Sequence, residues 1–218
     1  MTETNKQKLT HSGHSRPVTS SEPKKGRPRH RTGRVSQDDW FSAGLELLTS
    51  GGLGSVQVER LAKILEVSRS GFYWHFGSRD EFLQAIKRYW ANEFTRGIIE
   101  KCEAESLPPR EKLLRVSHII RESRADKFDL ALWHWANEDP EVSELAKQVT
   151  KQRTDYIRSL IQALGFQDAE LEARTRMFVV YHSWGSTMFN TEVLGQDGAL
   201  TDRIVGLIAG ISDQTDTV

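Results

Sequence analysis

Apolar residues recur three and four positions apart from Trp40 onward, and no stretch of any length alternates apolar with polar as a half-buried strand would. The spacing predicts an all-α protein. Trp40, Ala43, Gly44, Leu47 and Leu48 mark a first helix, opened by Ser36 as cap with Asp39 three residues later and stopped at Gly51 and Gly52. Val58, Leu61, Ala62 and Leu65 form the single apolar stripe of a second, and a third starts behind the cap Ser68. Phe82, Leu83, Ile86, Trp90 and Phe94 predict a long connector that ends before Pro108 and Pro109. Further helices are expected near residues 109–124, 126–137, 140–164, 168–192 and 199–211. Asp139 and Pro140 supply a cap and an N1 proline, and Gly165 and Asp168 the next stop and start. The total is about nine helices.

Residues 61–79 read LAKILEVSRSGFYWHFGSR, with five aromatic rings in succession from Phe72 to Phe76. Such a run cannot be wholly core. At 100° per residue Phe72 and Phe76 share one face, while Ser70, Tyr73 and Trp74 point away from it. A striped supporting helix, a tight turn and a short helix with a polar and aromatic outer face make a helix-turn-helix, whose second helix enters the major groove of DNA. Residues 35–80 are therefore expected to be a three-helix DNA-binding head, and residues 81–218 a helical body, whose ligand-binding and dimerisation roles are implied by a family resemblance carried on residues 61–82.

The same residues resemble the motif of the TetR family of bacterial transcriptional regulators, I-A-x-x-x-G-V-S-x-x-x-(F/L)-Y-x-H-F-x-x-K-x-x-L. It is met here by Leu61, Ala62, Val67, Ser68, Phe72, Tyr73, His75, Phe76 and Phe82. Three positions depart from it. Glu66 replaces the turn glycine, where a left-handed backbone costs a side-chain-bearing residue roughly 1 kcal/mol or more. Arg79 replaces the lysine and offers a planar fork for phosphate, and Gln57 stands at the cap of the supporting helix, with Ser55 expected to cap instead. The resemblance implies that Arg69 makes a bidentate contact to guanine and that Ser70 and Gly71 let the backbone approach. It also implies that Tyr73, Trp74, His75 and Arg79 meet thymine methyls or phosphates, and that the connector shifts as a lever when the body takes a ligand.

Charge changes the picture at one end only. The chain as a whole is neutral, yet residues 1–34 hold nine Lys or Arg against two acids. Residues 1–23 lack the large apolar side chains that would offset ordering entropy, so disorder is expected there. Residues 24–34 concentrate bases around Gly26, Arg27 and Pro28 and resemble an AT-hook, with Arg27, Arg29 and Arg31 suited to a narrow A·T minor groove. The plainer reading is a solubilising tail. The single Cys102 excludes an internal disulfide and a multi-cysteine metal site, which fits a reducing cytoplasm. No apolar run approaches a membrane span, and no signal-peptide core is present.

In the body, Met177, Phe178, Tyr181, Gly185 and Met188, then Ile204, Leu207, Ile208 and Ile211, are either core or a dimer face. The resemblance implies the latter, a four-helix bundle between two copies. Aromatic rings beside polar groups suit an apolar ligand pocket between helices, which makes His118, Trp133, Phe178 and His182 its candidate lining. The i, i+4 pairs His118/Glu122 and His134/Glu138 lack a third ligand, so no metal or cofactor is expected. Nothing supports Cys102 and His118 as nucleophile and base, so no enzyme is expected either. The expected protein is a homodimeric, ligand-responsive repressor of a palindromic operator on double-stranded DNA. The competing reading is a DNA-architectural protein that uses the basic arm and helix-turn-helix without an effector.

Overall fold

The computed structural model describes residues 35–188 and 198–210, and every regular element among them is helical. The head comprises α1 (Gln37–Gly51), α2 (Val58–Ile64) and α3 (Arg69–Phe76). The connector is one unbroken rod, α4 (Arg79–Ala91), a π-helical turn (Asn92–Arg96) and α5 (Gly97–Ala104). Behind it come α6 (Pro109–Ser123), α7 (Ala125–Ala136), α8 (Pro140–Ala163), α9 (Asp168–Met188) and α10 (Gly198–Ile208). Arg27, Arg29, Arg31 and Ile211, and the surroundings of Gly185 and Met188, lie outside the described residues. Among those described, no helix is long and apolar enough to cross a membrane.

Two of the expected caps form as chemistry demands. The Ser36 hydroxyl accepts from the Asp39 amide at 3.2 Å while the Asp39 carboxylate accepts from the Ser36 amide at 2.8 Å, a reciprocal capping box. Asp139 accepts from the Glu141 amide at 2.9 Å and leaves Pro140 at the first helical position, where its missing N–H costs nothing. Ser55 does not cap α2. Its buried hydroxyl donates to the carbonyls of Leu47 (2.5 Å) and Gly52 (2.8 Å), which ties the α1–α2 link to α1. Gln57 holds the cap position without a side-chain bond to the helix, and Ser68 bonds Ser70 at 2.7 Å rather than an amide of α3.

Two apolar clusters organise the interior. The first runs from Trp40, Phe41 and Leu45 of α1 through Leu61, Phe72, Phe76 and Phe82, and continues into Phe128, Leu132 and Trp135 of α7 and Val142 and Val149 of α8. Residues on either side of position 80 thus share packed side chains in one continuous cluster. The second unites Ile98 and Cys102 of α5, Leu113 and Val116 of α6, Ile157 and Ile161 of α8, Phe178 of α9, and Val205 and Ile208 of α10. Burial there pushes the Cys102 thiol up to about 11, so it is an inert core group.

At Gly44 helices α1 and α4 come into direct contact. A Cβ there would lie 2.6 Å from Ile86 Cδ1 and 2.7 Å from the Phe82 ring, whereas one at Gly71 would meet Trp40 at an ordinary 3.6 Å. Gly44→Ala should therefore lose about 1 to 3 kcal/mol by overpacking, while Gly71→Ala should be neutral or gain up to about 1 kcal/mol of helix propensity. Urea denaturation of both variants checks the contrast, and equal stabilities would contradict the close packing of α1 on α4.

Candidate nucleic-acid interface and internal cavity

The turn between α2 and α3 is built by backbone rules. Val67 N–H reaches the Ala62 carbonyl at 3.0 Å and Glu66 N–H the Lys63 carbonyl at 3.3 Å, the two bonds of a Schellman motif. Its left-handed position is Glu66, with φ 56°. The expected strain at the missing glycine is therefore present. Beyond the turn, Phe72 and Phe76 of α3 are buried, Phe72 edge-on to Trp40 at 5.5 Å and Phe76 edge-on to Phe82 at 4.9 Å. The opposite face carries Arg69 and Ser70 with Tyr73 and Trp74, the last two 51% and 66% exposed.

The fold sorts the seven residues of the head that are candidates for meeting DNA. Arg69, Ser70, Tyr73 and Trp74 lie on the outer face; Arg69 also donates to Glu59 of α2 at 3.0 Å, both side chains exposed. The Glu59 carboxyl is held below its ordinary range, first by a hydrogen bond to its own backbone and then by Arg69. Gly71 looks inward at Trp40. His75 is half-buried, with Nε2 3.2 Å from the Val35 carbonyl. Arg79 is the clearest departure. Its Nε donates to the Val56 carbonyl at 2.7 Å and its Nη2 to the Leu53 carbonyl at 2.9 Å, so the fork expected for phosphate grips the loop ahead of α2. No local pattern in the sequence separates these two uses of an arginine.

Between the connector and helices α6 to α9 lies a cavity of about 50 Å³. Phe94, Ile98, Val116, Ile120, Ile157 and Phe178 supply apolar wall; Thr95, Asp129, Arg153, Tyr156, His182 and Ser183 supply polar groups. At its polar end Arg153 grips Asp129 with both Nη1 and Nη2, the latter at 3.1 Å from Oδ1. The same guanidinium reaches the π turn, donating from Nε to Thr95 Oγ1 at 2.9 Å and from Nη2 to the Phe94 carbonyl at 3.0 Å. Trp90 of α4 completes the cluster by donating to Asp129 at 2.9 Å. The Tyr156 hydroxyl gives its proton to Glu103 at 2.7 Å, and burial together with that carboxylate pushes its pKa up.

Of the four candidate pocket residues, Phe178 and His182 line the cavity. His118 instead bonds Asp202 of α10 at 2.7 Å, and Trp133 packs at the edge of the first apolar cluster. Sequence reasoning misses Asp129, Arg153 and Thr95. A signal exists for two of them: Asp129 interrupts the stripe of Ala125 and Leu132, and Arg153 that of Val149 and Ile157, so each is a charge on a buried helix face. Among the described residues no group of three or more His, Cys, Asp or Glu is placed to hold a metal ion.

Residues 41–86 match the sequence profile of the bacterial regulatory proteins of the tetR family. The transcriptional regulator AcuR of Cereibacter sphaeroides is 28% identical over 110 residues, a stretch covering 50% of each chain, so the chain spans about half the length of this curated relative. A transcriptional regulator of Rhodococcus sp. Rha1 superimposes with a TM-score of 0.60 at 15% identity, over 81% of this chain and 95% of the other. FadR of Bacillus subtilis, solved with stearoyl-CoA, does so with a TM-score of 0.58 at 16% identity, over 80% and 98%.

Burial lowers the pKa of His182 from 6.5 to about 4. The unfolded chain therefore takes up a proton that the fold refuses as the pH drops from 6.5 to about 4, and stability falls across that window. The loss approaches roughly 3 kcal/mol at its acid end, at about 1.4 kcal/mol per unit. His182→Phe should remove this part of the slope, read as the difference between urea midpoints of wild type and variant at pH 7 and pH 4.5. Parallel pH curves would contradict a neutral buried imidazole.

Proposed function

We propose that this chain, a DNA-binding transcriptional regulator of the tetR family, is a cytoplasmic homodimeric repressor that leaves a palindromic operator when a small molecule enters the cavity. The division of labour is that of reading residues 35–80 and responding residues 81–218, and the role requires no catalysis. One observation carries the reading: a single helix touches both sites. At its first residue Arg79 holds the carbonyls of Leu53 and Val56 in the head, and at its π turn Arg153 holds Phe94 and Thr95 beside the cavity. A ligand that moves Arg153 acts on the far end of the rod that positions α2 and α3. A hundredfold preference for the released state corresponds to about 2.7 kcal/mol of coupling. The architectural alternative gives the cavity no role.

Dimerisation is supported by the outer faces of α9 and α10, where Met177, Val180, Trp184, Leu200 and Leu207 are exposed apolar residues. Phe178 and Ile208, also expected on that face, are 1% and 2% exposed in the core of a single chain. A two-fold contact through the exposed set would bury an otherwise solvated apolar patch and set two α3 helices about 34 to 36 Å apart, one turn of DNA. Arg27, Arg29 and Arg31 ahead of the head would add minor-groove contacts that raise affinity more than specificity.

The decisive experiment selects DNA from random duplexes with the purified protein, with and without a metabolite extract. Enrichment of one palindrome that the extract releases is the expected result; DNA bound without sequence preference would favour the architectural reading. On the selected site Arg69→Ala should cost about 1 to 3 kcal/mol at one base position and relax its preference, and equal losses on unrelated DNA would remove Arg69 as a base reader. Leu207→Glu should yield a folded monomer without operator affinity, whereas a variant that still sediments as a dimer would move the interface elsewhere. Deleting residues 1–34 should make log affinity against log salt shallower by about 0.9 for each phosphate that the arm neutralises; an unchanged slope would leave that segment a solubilising tail.

A further inference from the structure

The surface expected to meet DNA carries an acid. Oε1 of Glu59 in α2 accepts from Nη1 of Arg69 at 3.0 Å, and the two side chains are 62% and 64% exposed. A duplex presents one negative charge per about 1.7 Å of its axis, so an unpaired carboxylate at this place opposes binding. Local spacing favours a different partner for it. Lys63 stands four residues on, the arrangement in which a glutamate ahead of a lysine pairs best along one helix. Among the described residues, however, the ion pair that Glu59 forms is the one across the turn to Arg69. The carboxylate is also tethered by its own backbone N–H. Arg69 is in turn the only lysine or arginine of α3.

The pairing leaves a particular edge of the guanidinium free. Nη1 is committed to Glu59, while Nε and Nη2, parallel donors that match guanine O6 and N7, have no partner among the described residues. An untethered arginine takes a phosphate as readily, and a phosphate carries no sequence information. Joined to Glu59, the guanidinium adds no net charge to the surface, so contact with the phosphate backbone gains little. The tether also restrains a long side chain before DNA arrives. A base pair without acceptors for the free edge leaves the fork unsatisfied and the carboxylate facing phosphates, so the acid weighs against the wrong site more than against the right one.

We propose that Glu59 is a positioning residue of the reading surface: it holds Arg69 by Nη1, presents the Nε–Nη2 edge to guanine, and withholds the guanidinium from phosphates. This rests on the reading of Arg69 as a base reader. The full-length Glu59→Gln protein keeps the size of the side chain and loses its charge. It is compared with wild type on the selected site, on that site varied one base pair at a time, and on an unrelated duplex of the same length. An exposed pair adds little to stability, so the variant should keep the wild-type urea midpoint. Its preference at the base pair that Arg69→Ala relaxes should fall about fivefold, the lower end of what one bidentate contact supplies. The unrelated duplex should be bound more tightly, with log affinity against log salt steeper by about 0.9, one further phosphate neutralised.

Glu59→Ala should reproduce both changes, because neither needs a side chain at residue 59, and it serves in place of a glutamine variant that fails to fold. A preference that survives, or an affinity changed by one factor on every duplex, would make Glu59 an ordinary surface ion pair and overturn the proposal while Arg69 remains a reader. A loss centred on a different base pair would mean that Glu59 meets a base itself, which overturns it too. Arg69→Ala without a base-specific effect, or a selection that yields no preferred sequence, would remove the underlying reading and the proposal with it.

Discussion

The bidentate pair between Arg153 and Asp129 is the constraint on which the body depends. Asp129 is 4% and Arg153 20% exposed at the side chain, so both ions have lost most of their water. Such burial is recovered only when the remaining donors and acceptors are met, and removing one partner from a buried pair typically costs about 3 to 5 kcal/mol. Here the requirement is met by Trp90 on the carboxylate, and by Thr95 and the Phe94 carbonyl on the guanidinium. The pair thereby fastens α7 and α8 to the connector. It does so at the π turn, where i→i+5 bonding loosens the backbone of an α-helix and leaves carbonyls open to outside donors.

Between that point and the head, α4 is held at two further heights. Lys87, 4% exposed at its side chain, donates to Glu141 at 2.6 Å and lies 3.8 Å from the Asp139 carboxylate that caps α8. The Lys87 hydrogen bond also holds the Glu141 carboxyl below its ordinary range. Arg79 grips the head at the first turn. The 13 residues of α4 span about 20 Å, so a tilt of about 5° moves one end by nearly 2 Å relative to the other. Because Gly44 lets α1 pack tightly on α4, and α1 underlies α3 through Trp40 and Phe72, α3 is joined to the rod by continuous side-chain packing.

Periodicity carries most of the fold. The helical starts at Ser36 and Asp139, the buried pair Phe72 and Phe76, and the exposed Tyr73 and Trp74 all follow from spacing and capping chemistry. Periodicity states which face of a helix is buried and not what lies across from it. That is why residue type alone offers His118 and Trp133 to a cavity that neither lines, and why periodicity leaves Ile208 as core or dimer face until the fold shows its side chain buried within one chain. Arg79 departs from expectation for a related reason: its acceptors are backbone carbonyls more than twenty residues upstream, and a carbonyl has no residue type to read. Asp129 and Arg153 are legible as charges on buried stripes, but their pairing across 24 residues is not.

A packed apolar wall would often be at least as stable as this buried pair, so its presence beside a cavity calls for a reason other than stability. The geometry supplies one. Arg153 uses two contacts for Asp129 and two different ones for the π turn, so it can release Phe94 and Thr95 while remaining paired. In the proposed response this release would give up two hydrogen bonds of roughly 1.5 to 3 kcal/mol each, partly replaced by water or ligand, and would strand no charge. Breaking the pair instead would leave an unpaired carboxylate buried among Trp90 and Phe94, a cost above the ~2.7 kcal/mol that a hundredfold ligand preference provides. On the proposed reading, the divided allegiance of one guanidinium would keep two states of the connector close enough in free energy for a small molecule to choose between them.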